Sequence, residues 1–470
     1  MTVAARAEPR IPPAVPGVFG LVLVVLLVRF LVPRPVSVSD NGDGFRVLCG
    51  AGITWPGSPQ PYVRLDYPVS PGGCEPTYQL SQSWLARLAV RVGDLSGPPS
   101  MLNLVIMGVL GSAIAAAAVT LVVAGLPDRP RVRLLVALGL LLVVADSAFF
   151  GYYGSILGEG TAFLGLLLAT GGLLLVPRSG GWGYAGLAAT AAGGLIAVNA
   201  KVQTLMILPV LILAVLLVRP GTRSRWRPGL LVAVVLAGGT WWAQTGVSPA
   251  PAPDGTFSSV PGGDSREINM VNTIFVNIVD GRHDTVADLA ELGLPASFAQ
   301  YAGNGWWGAH PVVSDPLYPR YRSRMSRRNA VAFFATHPLR TLGVLNRAAE
   351  AALVARPDYL GSFTRSAGFA PQAQEHRVPI VSGLTGSIAP LGLFVLVPLW
   401  LFVAWRGWRH RRSALGVVLG LLLTVALGQF VLAALGDGIE NTKHQAITLF
   451  CTLVALVPAA VVWHPKPTGA

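Results

Sequence analysis

Apolar runs alternate with short polar breaks along most of this chain, and ten of the runs read as candidate membrane spans. They fall at about 17–34, 101–125, 133–149, 161–177, 182–199, 203–218, 229–245, 383–405, 413–435 and 445–463. A helix needs about 20 mostly apolar residues to cross the hydrocarbon core, with a range of roughly 17–25. The seventh run is short, and Trp241-Trp242 marks its interfacial end. The fifth is rich in Ala and Gly, as tightly packed membrane helices often are. The pattern divides the chain into an N-terminal membrane module over 1–245 with an outer loop at 35–100, a long segment over 246–382, and C-terminal membrane helices over 383–470.

The two long polar segments carry helix signals of their own. Gln82–Leu95 is amphipathic, and 246–382 reads as mostly helical. Asp284 suits an N-cap, Gly293 a C-cap, and Pro295 follows the stop. Thr336-His337-Pro338 is a second helix start, with Pro near the first turn. Arg322, Arg324, Arg327 and Arg328 form a basic cluster whose simplest reading is a face toward solvent or lipid headgroups. Pro249–Gly263 reads as a flexible linker, and no internal repeat is visible.

Composition agrees with a membrane protein. Of 470 residues, 52% are hydrophobic and 12% charged, and mean hydropathy is +0.57. Soluble proteins carry about 25% charged residues. The fold class expected is an all-α polytopic membrane protein of about ten transmembrane helices with a mostly helical extracytoplasmic segment. The net charge of +13 comes from 35 Lys+Arg against 22 Asp+Glu. Most of the short-loop arginines fall between apolar runs, where they set orientation and do not indicate a nucleic-acid partner.

With the N-terminus inside, the inner segments hold Arg6 and Arg10, then Arg129, Arg131 and Arg133, then Arg178. Arg219, Arg223, Arg225 and Arg227 follow, then Arg406, Arg409, Arg411 and Arg412, and finally Lys466. The short outer loops after runs three, five and nine hold only Lys201 and Lys443 as Lys/Arg. Cytoplasmic loops are enriched in Lys and Arg, so both termini are expected in the cytoplasm of a multi-pass cell-membrane protein. Arg6 and Arg10 before Gly17–Val32 could open a signal peptide, but no convincing small-residue cleavage site follows, so an uncleaved signal anchor is expected. Cys49 and Cys74 share the first outer loop, where a disulfide is plausible, and Cys451 lies in an apolar run.

This topology places four polar stretches on one outer face. They are Asp40-Asn41-Gly42-Asp43, Gly158-Glu159-Gly160, Lys201-Val202-Gln203, and the stretch from Asp437 through Glu440 to Lys443-His444. In the first, the glycines permit a tight turn that could aim a carboxylate at the membrane; an ordinary turn is the plainer reading. Glu159 stands at the mouth of a run, and Asp146 lies near the end of the run before it. Ionisable groups at membrane depth are costly and usually face a cavity. Lys201 opposes the inside bias: it either snorkels or serves an anionic ligand, with Gln203 adding amide donors. Asp437, Glu440, Lys443 and His444 pose the same choice within one short loop between very apolar runs. A carboxylate can act as general base on a hydroxyl, and cations can hold a departing phosphate. Beside an apolar wall, that set suits group transfer from a lipid-linked phosphate.

At these residues the chain resembles the GT-C superfamily of integral-membrane glycosyltransferases, which use polyprenyl-phosphate sugars as donors. The matching features are the acid soon after the first run (Asp43, or Asp40), the acid of the second outer loop (Glu159, after Tyr152-Tyr153-Gly154-Ser155), and the many-span layout with a large outer segment. Asn199-Ala200-Lys201-Val202-Gln203 looks like a span-end Lys-x-Gln of bacterial members. Gly436-Asp437-Gly438 before Lys443-His444, with Arg356-Pro357-Asp358-Tyr359-Leu360-Gly361, is most similar to a bacterial hexosyltransferase group called WsfD-like.

The resemblance implies inverting transfer of a hexose from a polyprenyl-phosphate donor to an acceptor hydroxyl, in cell-envelope glycan assembly. Asp43 and Glu159 would be catalytic, with Asp43 the base and Glu159 binding hydroxyls or sharing that role. Lys201, Lys443 and His444 would hold the departing phosphate, helped by Arg322 or a neighbour. Asp40, Gln203, Asp437 and Glu440 complete the expected substrate-binding set. The acceptor could be a glycan, a lipid or a protein. Some superfamily members use a divalent cation; here an Asp-x-x-Asp replaces an adjacent acid pair, so no metal or cofactor is expected, with a divalent cation left open. The rivals are a transporter or lipid-linked-sugar flippase and a non-catalytic assembly or sensor protein. Transporters usually place polar residues at midplane within internal repeats, which are not seen here.

Overall fold

In the computed structural model, each of the ten apolar intervals contains a helix. The structure describes residues 14–69, 79–95, 101–127, 129–178, 180–218, 227–245 and 265–462. The expected linker at 249–263 lies outside them, as do Arg6, Arg10, Lys466 and Cys74. In chain order the N-terminal helices are α1 (Ala14–Leu31), α2 (Gly44–Ala51), α3 (Ser81–Gly93), α4 (Leu104–Gly125), α5 (Pro130–Val144), α6 (Glu159–Leu175), α7 (Gly181–Val198), α8 (Ile207–Leu217) and α9 (Arg227–Thr245). The segment expected to lie outside holds α10 (Ser265–Asn272), α11 (Thr285–Glu291), α12 (Tyr318–Tyr321), α13 (Arg327–Thr336) and α14 (Pro338–Val354). Then come α15 (Ile380–Ser387), α16 (Leu393–Arg409), α17 (Ala414–Gly436), α18 (Asn441–His444) and α19 (Ala446–Val461). One short antiparallel pair, β1 (Asp66–Pro68) with β2 (Met101–Asn103), sets Tyr67 opposite Leu102 and leads the chain into α4.

By length and composition, four described helical stretches can cross a membrane: Leu104–Gly125, Gly181–Val198, Ala414–Gly436 and Asn441–Val461. The shorter apolar helices include Val15–Leu31, Glu159–Leu175 and Val202–Leu217. Two boundaries differ from the sequence reading. The run at 383–405 is broken, because α15 and a 3₁₀ turn at Ala389–Leu391 end at Gly392, whose φ of +49° sets a new direction before α16. The run at 133–149 stops at Val144, and Asp146 lies beyond it in a turn.

Small residues set the closest helix pair. A Cβ on Gly172 would come within 2.5 Å of Thr190 N, and one on Gly193 within 2.5 Å of Ala169 N. Gly165 and Gly186 meet the partner backbone in the same way, so α6 and α7 touch main chain to main chain. In lipid, where helices gain little from burying apolar surface against each other, such packing drives association. Many large side chains facing away from the bundle are apolar and exposed, among them Val24, Leu134, Leu138, Leu213, Leu231, Val234 and Leu401. An exposed apolar surface of that extent is a lipid-facing wall.

Three arginines of the short connections, Arg133, Arg178 and Arg406, sit at the C-terminal ends of α4 and α19. Arg133 and Arg178 donate to Leu126 O at 3.1 and 2.8 Å, capping the C-terminus of α4, and Arg406 donates to Val462 O at the end of α19. Cations at helix C-termini satisfy orphan carbonyls and complement the helix dipole. The opposite ends of α6 and α19 begin at Glu159 and just after His444.

The outer segment has its own core of Phe275, Leu289, Phe298, Val312 and Phe333. Asp284 caps α11, accepting from Val286 N and Ala287 N at 3.1 Å. Pro338 opens α14, whose Ala348 and Ala352 pack with Trp400 of α16 and Ala434 of α17. A second tie is ionic: Arg29 of α1 forms a two-pronged pair with Glu375 at 2.9 and 2.8 Å, Glu375 being 1% exposed. Beside it, Ser39 N donates to Gly361 O at 2.8 Å, which docks the 356–375 loop on the chain leaving α1.

Candidate active site

The loops that cap this end of the bundle pack closely, and glycines decide how closely. A Cβ on Gly158 would collide with Ala200 O and Lys201 Cγ, and one on Gly160 with Tyr152 O. Gly158 therefore lets the start of α6 press against the exit of α7, and Gly160 lets it fold back on the turn at Tyr152. Gly44 does the same for the first loop, because a Cβ there would collide with the Ile156 side chain.

The result is a continuous ion cluster. Lys201 Nζ lies 2.5 Å from Glu159 Oε1. Lys443 Nζ lies 2.5 Å from Asp43 Oδ2 and also contacts Glu440 Oε2. Arg46 Nη1 reaches Asp43 Oδ1 at 2.5 Å. His444 approaches Asp437 at 3.4 Å and Glu440 at 3.6 Å. Asn41 donates to Glu440 Oε1 at 2.7 Å. The Glu159 carboxylate acts on Lys443, and the Lys201 ammonium acts on Asp43, so the two halves share one field. Asp43, Glu159, Lys201, Glu440, Lys443, His444 and Asp437 are thus brought together from four connecting stretches. Gln203 joins through the backbone, donating to His444 O at 3.3 Å.

Asp40 is placed differently. Its Oδ1 accepts from Gly42 N and Gly44 N, both at 2.8 Å, and its Oδ2 accepts from Trp55 Nε1 at 2.9 Å. The carboxylate thus ties together the turn that leads to Asp43, through three accepted hydrogen bonds. Asp437 accepts from Asn272 Nδ2 at 3.1 Å and lies 3.4 Å from His444 Nδ1. Asp146, the acid weighed near the end of the third run, is also structural. It accepts from Ala148 N at 2.9 Å and from Val381 N at 2.8 Å, capping α15. Arg322 pairs with Glu267 at 3.3 Å, away from the cluster.

Charge tunes the acids. Burial raises the Asp43 carboxyl, but Lys443, Arg46 and Lys201 outweigh it and hold Asp43 well below the usual carboxylate range. Burial works the same way on Glu440, and Lys443 and His444 bring it down to about 2. At Asp437 burial wins over His444, and the carboxyl is raised. Glu440 sits at φ +51°, a left-handed conformation that costs a residue with a Cβ roughly 1–3 kcal/mol and tends to occur at functional sites.

Asp43, Glu440 and His444 each offer a metal-ligating atom, and the three lie within 4.8 Å of one another. The Lys443 ammonium already contacts both carboxylates, so a divalent ion would have to displace it. Two cavities lie in the segment over 246–382. One of about 330 Å³ is lined by Arg266, Glu267, Tyr318, Arg322 and Arg327, and one of about 240 Å³ by Asp280, His283, Arg340 and Arg347.

Sequence reasoning missed Arg46, Asn41, Tyr152 and Tyr359 as members of the site. The spacing of Arg46, three residues after Asp43, was a usable signal, since i and i+3 share a helix face. Tyr152 and Tyr359 fall within the stretches that carry the resemblance but were not singled out there, because aromatic side chains are ordinary at a membrane interface. Cys49 is disulfide-bonded, and Cys451 is free and buried.

Comparison with known proteins gives one family: the model described as YfdI N-terminal transmembrane domain matches residues 4–463. Two solved structures from Archaeoglobus fulgidus resemble the chain. One is the archaeal oligosaccharyltransferase AglB in complex with an inhibitory peptide and a dolichol-phosphate, at 15% identity and a TM-score of 0.43, covering 95% of this chain and 50% of that one. The other is the oligosaccharyltransferase tethered through a disulfide bond to an acceptor peptide with the NVT sequon, at 14% identity and 0.39, covering 95% and 49%. The chain therefore spans about half the length of these structures. No curated protein matches it.

Proposed function

The chain belongs to the YfdI N-terminal transmembrane domain family, and from that footing we propose that it is a membrane glycosyltransferase of GT-C type. It transfers a hexose from a polyprenyl-phosphate donor to an acceptor hydroxyl at the extracytoplasmic face, inverting the anomeric centre, in cell-envelope glycan assembly. The ten-span topology, with both termini in the cytoplasm, is part of the proposal. The WsfD-like motifs refine it only as a subgroup within that type, and the matched family model carries a different name.

One observation carries the reading: acids and cations from four connecting stretches meet in one cluster at the end of the bundle opposite Arg133, Arg178 and Arg406, beside lipid-facing walls. That is where a lipid-borne phosphate and its sugar present themselves.

In the proposed reaction the acceptor oxygen attacks the anomeric carbon as Asp43 takes its proton. The bond from that carbon to the phosphate oxygen breaks, and the electron pair leaves on the polyprenyl phosphate. Lys201 and Lys443 hold the departing anion, and His444, oriented by Asp437, stands beside them. Glu159 holds Lys201 in place and is within reach of hydroxyls. While Lys443 remains on Asp43, that carboxylate is a weak base. The donor phosphate competes for the same ammonium, so donor binding raises the basicity of Asp43 as the acceptor arrives. Positioning and charge stabilisation supply most of the rate.

The test is incubation of purified protein in lipid with a panel of polyprenyl-phosphate hexoses and candidate acceptors, followed by mass spectrometry. Transfer requires an acceptor product heavier by one hexose and a released polyprenyl phosphate. Movement of intact labelled donor across the bilayer without such a product would point to a flippase instead.

A further inference from the structure

Among the described residues, four buried polar atoms of the segments around the ion cluster have no hydrogen-bond partner. They are Tyr152 Oη, Tyr359 Oη, Asn41 Oδ1 and Asn441 Oδ1. Buried polar groups are paired in the great majority of cases, so four orphans in one place call for an explanation. Tyr152 is 2% exposed, and burial pushes its phenol above the ordinary range; Glu159 adds to this, while Lys443 and Arg356 oppose it. Tyr359 is likewise raised by burial and feels Lys443, Glu440, Tyr152 and Glu159. The backbone places both in segments packed on the cluster: Tyr152 O lies against Gly160, next to Glu159, and Tyr359 stands two residues before Gly361, whose N–H donates to Ser39 Oγ at 2.9 Å, beside Asp40. Asn41 spends its amide nitrogen on Glu440, and Asn441 begins α18 directly after the left-handed Glu440. The rim above them is partly open, with side-chain exposure of 31% at Asp43 and 28% at Glu440.

The chemistry of the orphans selects their ligand. Carboxamide oxygens only accept hydrogen bonds, so they require donors. Phosphate oxygens of an ionised ester offer none. Sugar hydroxyls both donate and accept, as phenols do. We infer that Tyr152, Tyr359, Asn41 and Asn441 form the subsite for the hexose ring of the donor, beside the cations that take its phosphate. This rests on the glycosyl-transfer reading and adds to it the residues that recognise the sugar.

An orphan hydroxyl gives the subsite an unusual signature. Deleting a hydroxyl that the protein satisfies destabilises the fold, whereas deleting one that awaits a ligand does not. The measurement uses full-length protein in lipid nanodiscs, with polyprenyl phosphate and hexosyl polyprenyl phosphates as probes. Wild type should bind at least one sugar-bearing lipid more tightly than the bare phosphate. Tyr152→Phe and Tyr359→Phe should each cut that preference by about threefold to tenfold, the worth of one hydrogen bond. Affinity for the bare phosphate and Tm should not fall. An unchanged preference in both variants, a fall in Tm showing that water or protein satisfies the hydroxyls, or a wild type without preference for any sugar overturns the inference. Sugar-dependent binding without hexose transfer would leave the subsite standing and defeat the transfer reading alone.

Discussion

Lys443 has no exposed surface, and its ammonium stands between Asp43 and Glu440. Both carboxyls are held below their ordinary range, so the sign of their linkage to pH is fixed. A depressed carboxyl stabilises the fold above its unfolded value and loses that contribution as pH falls through the folded one. For Glu440 the window runs from the ordinary 4.5 down to about 2. Thermal unfolding in lipid nanodiscs should therefore show Tm falling more steeply between pH 5 and pH 3 in wild type than in Glu440→Gln. Equal slopes would mean that the ion pair is not made. A second prediction concerns Glu375, which has 1% of its surface exposed and two bonds to Arg29. Replacing one partner strands a buried charge, so Arg29→Met should cost about 3–5 kcal/mol in unfolding free energy. A loss under 1 kcal/mol would show Arg377, also on Glu375 at 2.8 Å, to be a sufficient substitute.

At the scale of elements, the α6–α7 contact places Glu159 beside Lys201. Gly172→Leu and Gly193→Leu would force side chains into a main-chain contact and should cost at least the 1–3 kcal/mol typical of overpacking, read as lower Tm and yield. Gly158→Ala sets a Cβ against Ala200 O and Lys201 Cγ, so it should lower Tm and, by shifting Lys201, also lower activity per folded molecule. Activity per folded molecule equal to wild type would contradict this.

Some of this was legible in the sequence. The glycines at 165, 172, 186 and 193 are visible as small residues in apolar runs, but nothing in a single chain says which run faces which. The four polar stretches stood out because charge is rare among apolar residues. Asp40 and Asp43 could not be told apart, since a turn and a site use the same residue type. Only the hydrogen bonds from Gly42, Gly44 and Trp55 separate them.

For the whole molecule, the arginine end and the acid-base end define an axis, and the positive-inside bias gives it a direction. A single cysteine at Val202, which is 56% exposed, should react with an impermeant maleimide added outside cells; one at Trp408, 67% exposed, should react only after permeabilisation. The reverse pattern would invert the topology and put the cluster in the cytoplasm. The break at Gly392 was hidden, because the run at 383–405 is apolar on both sides of it. The central claim is that Asp43 takes the acceptor's proton in a hexose transfer. The most direct test compares wild type with Asp43→Asn in lipid, supplied with a hexosyl polyprenyl phosphate and acceptor, with product followed by mass spectrometry. The account predicts equal membrane abundance and a fall in transfer of at least about 10²-fold; transfer at the wild-type rate in Asp43→Asn would contradict it.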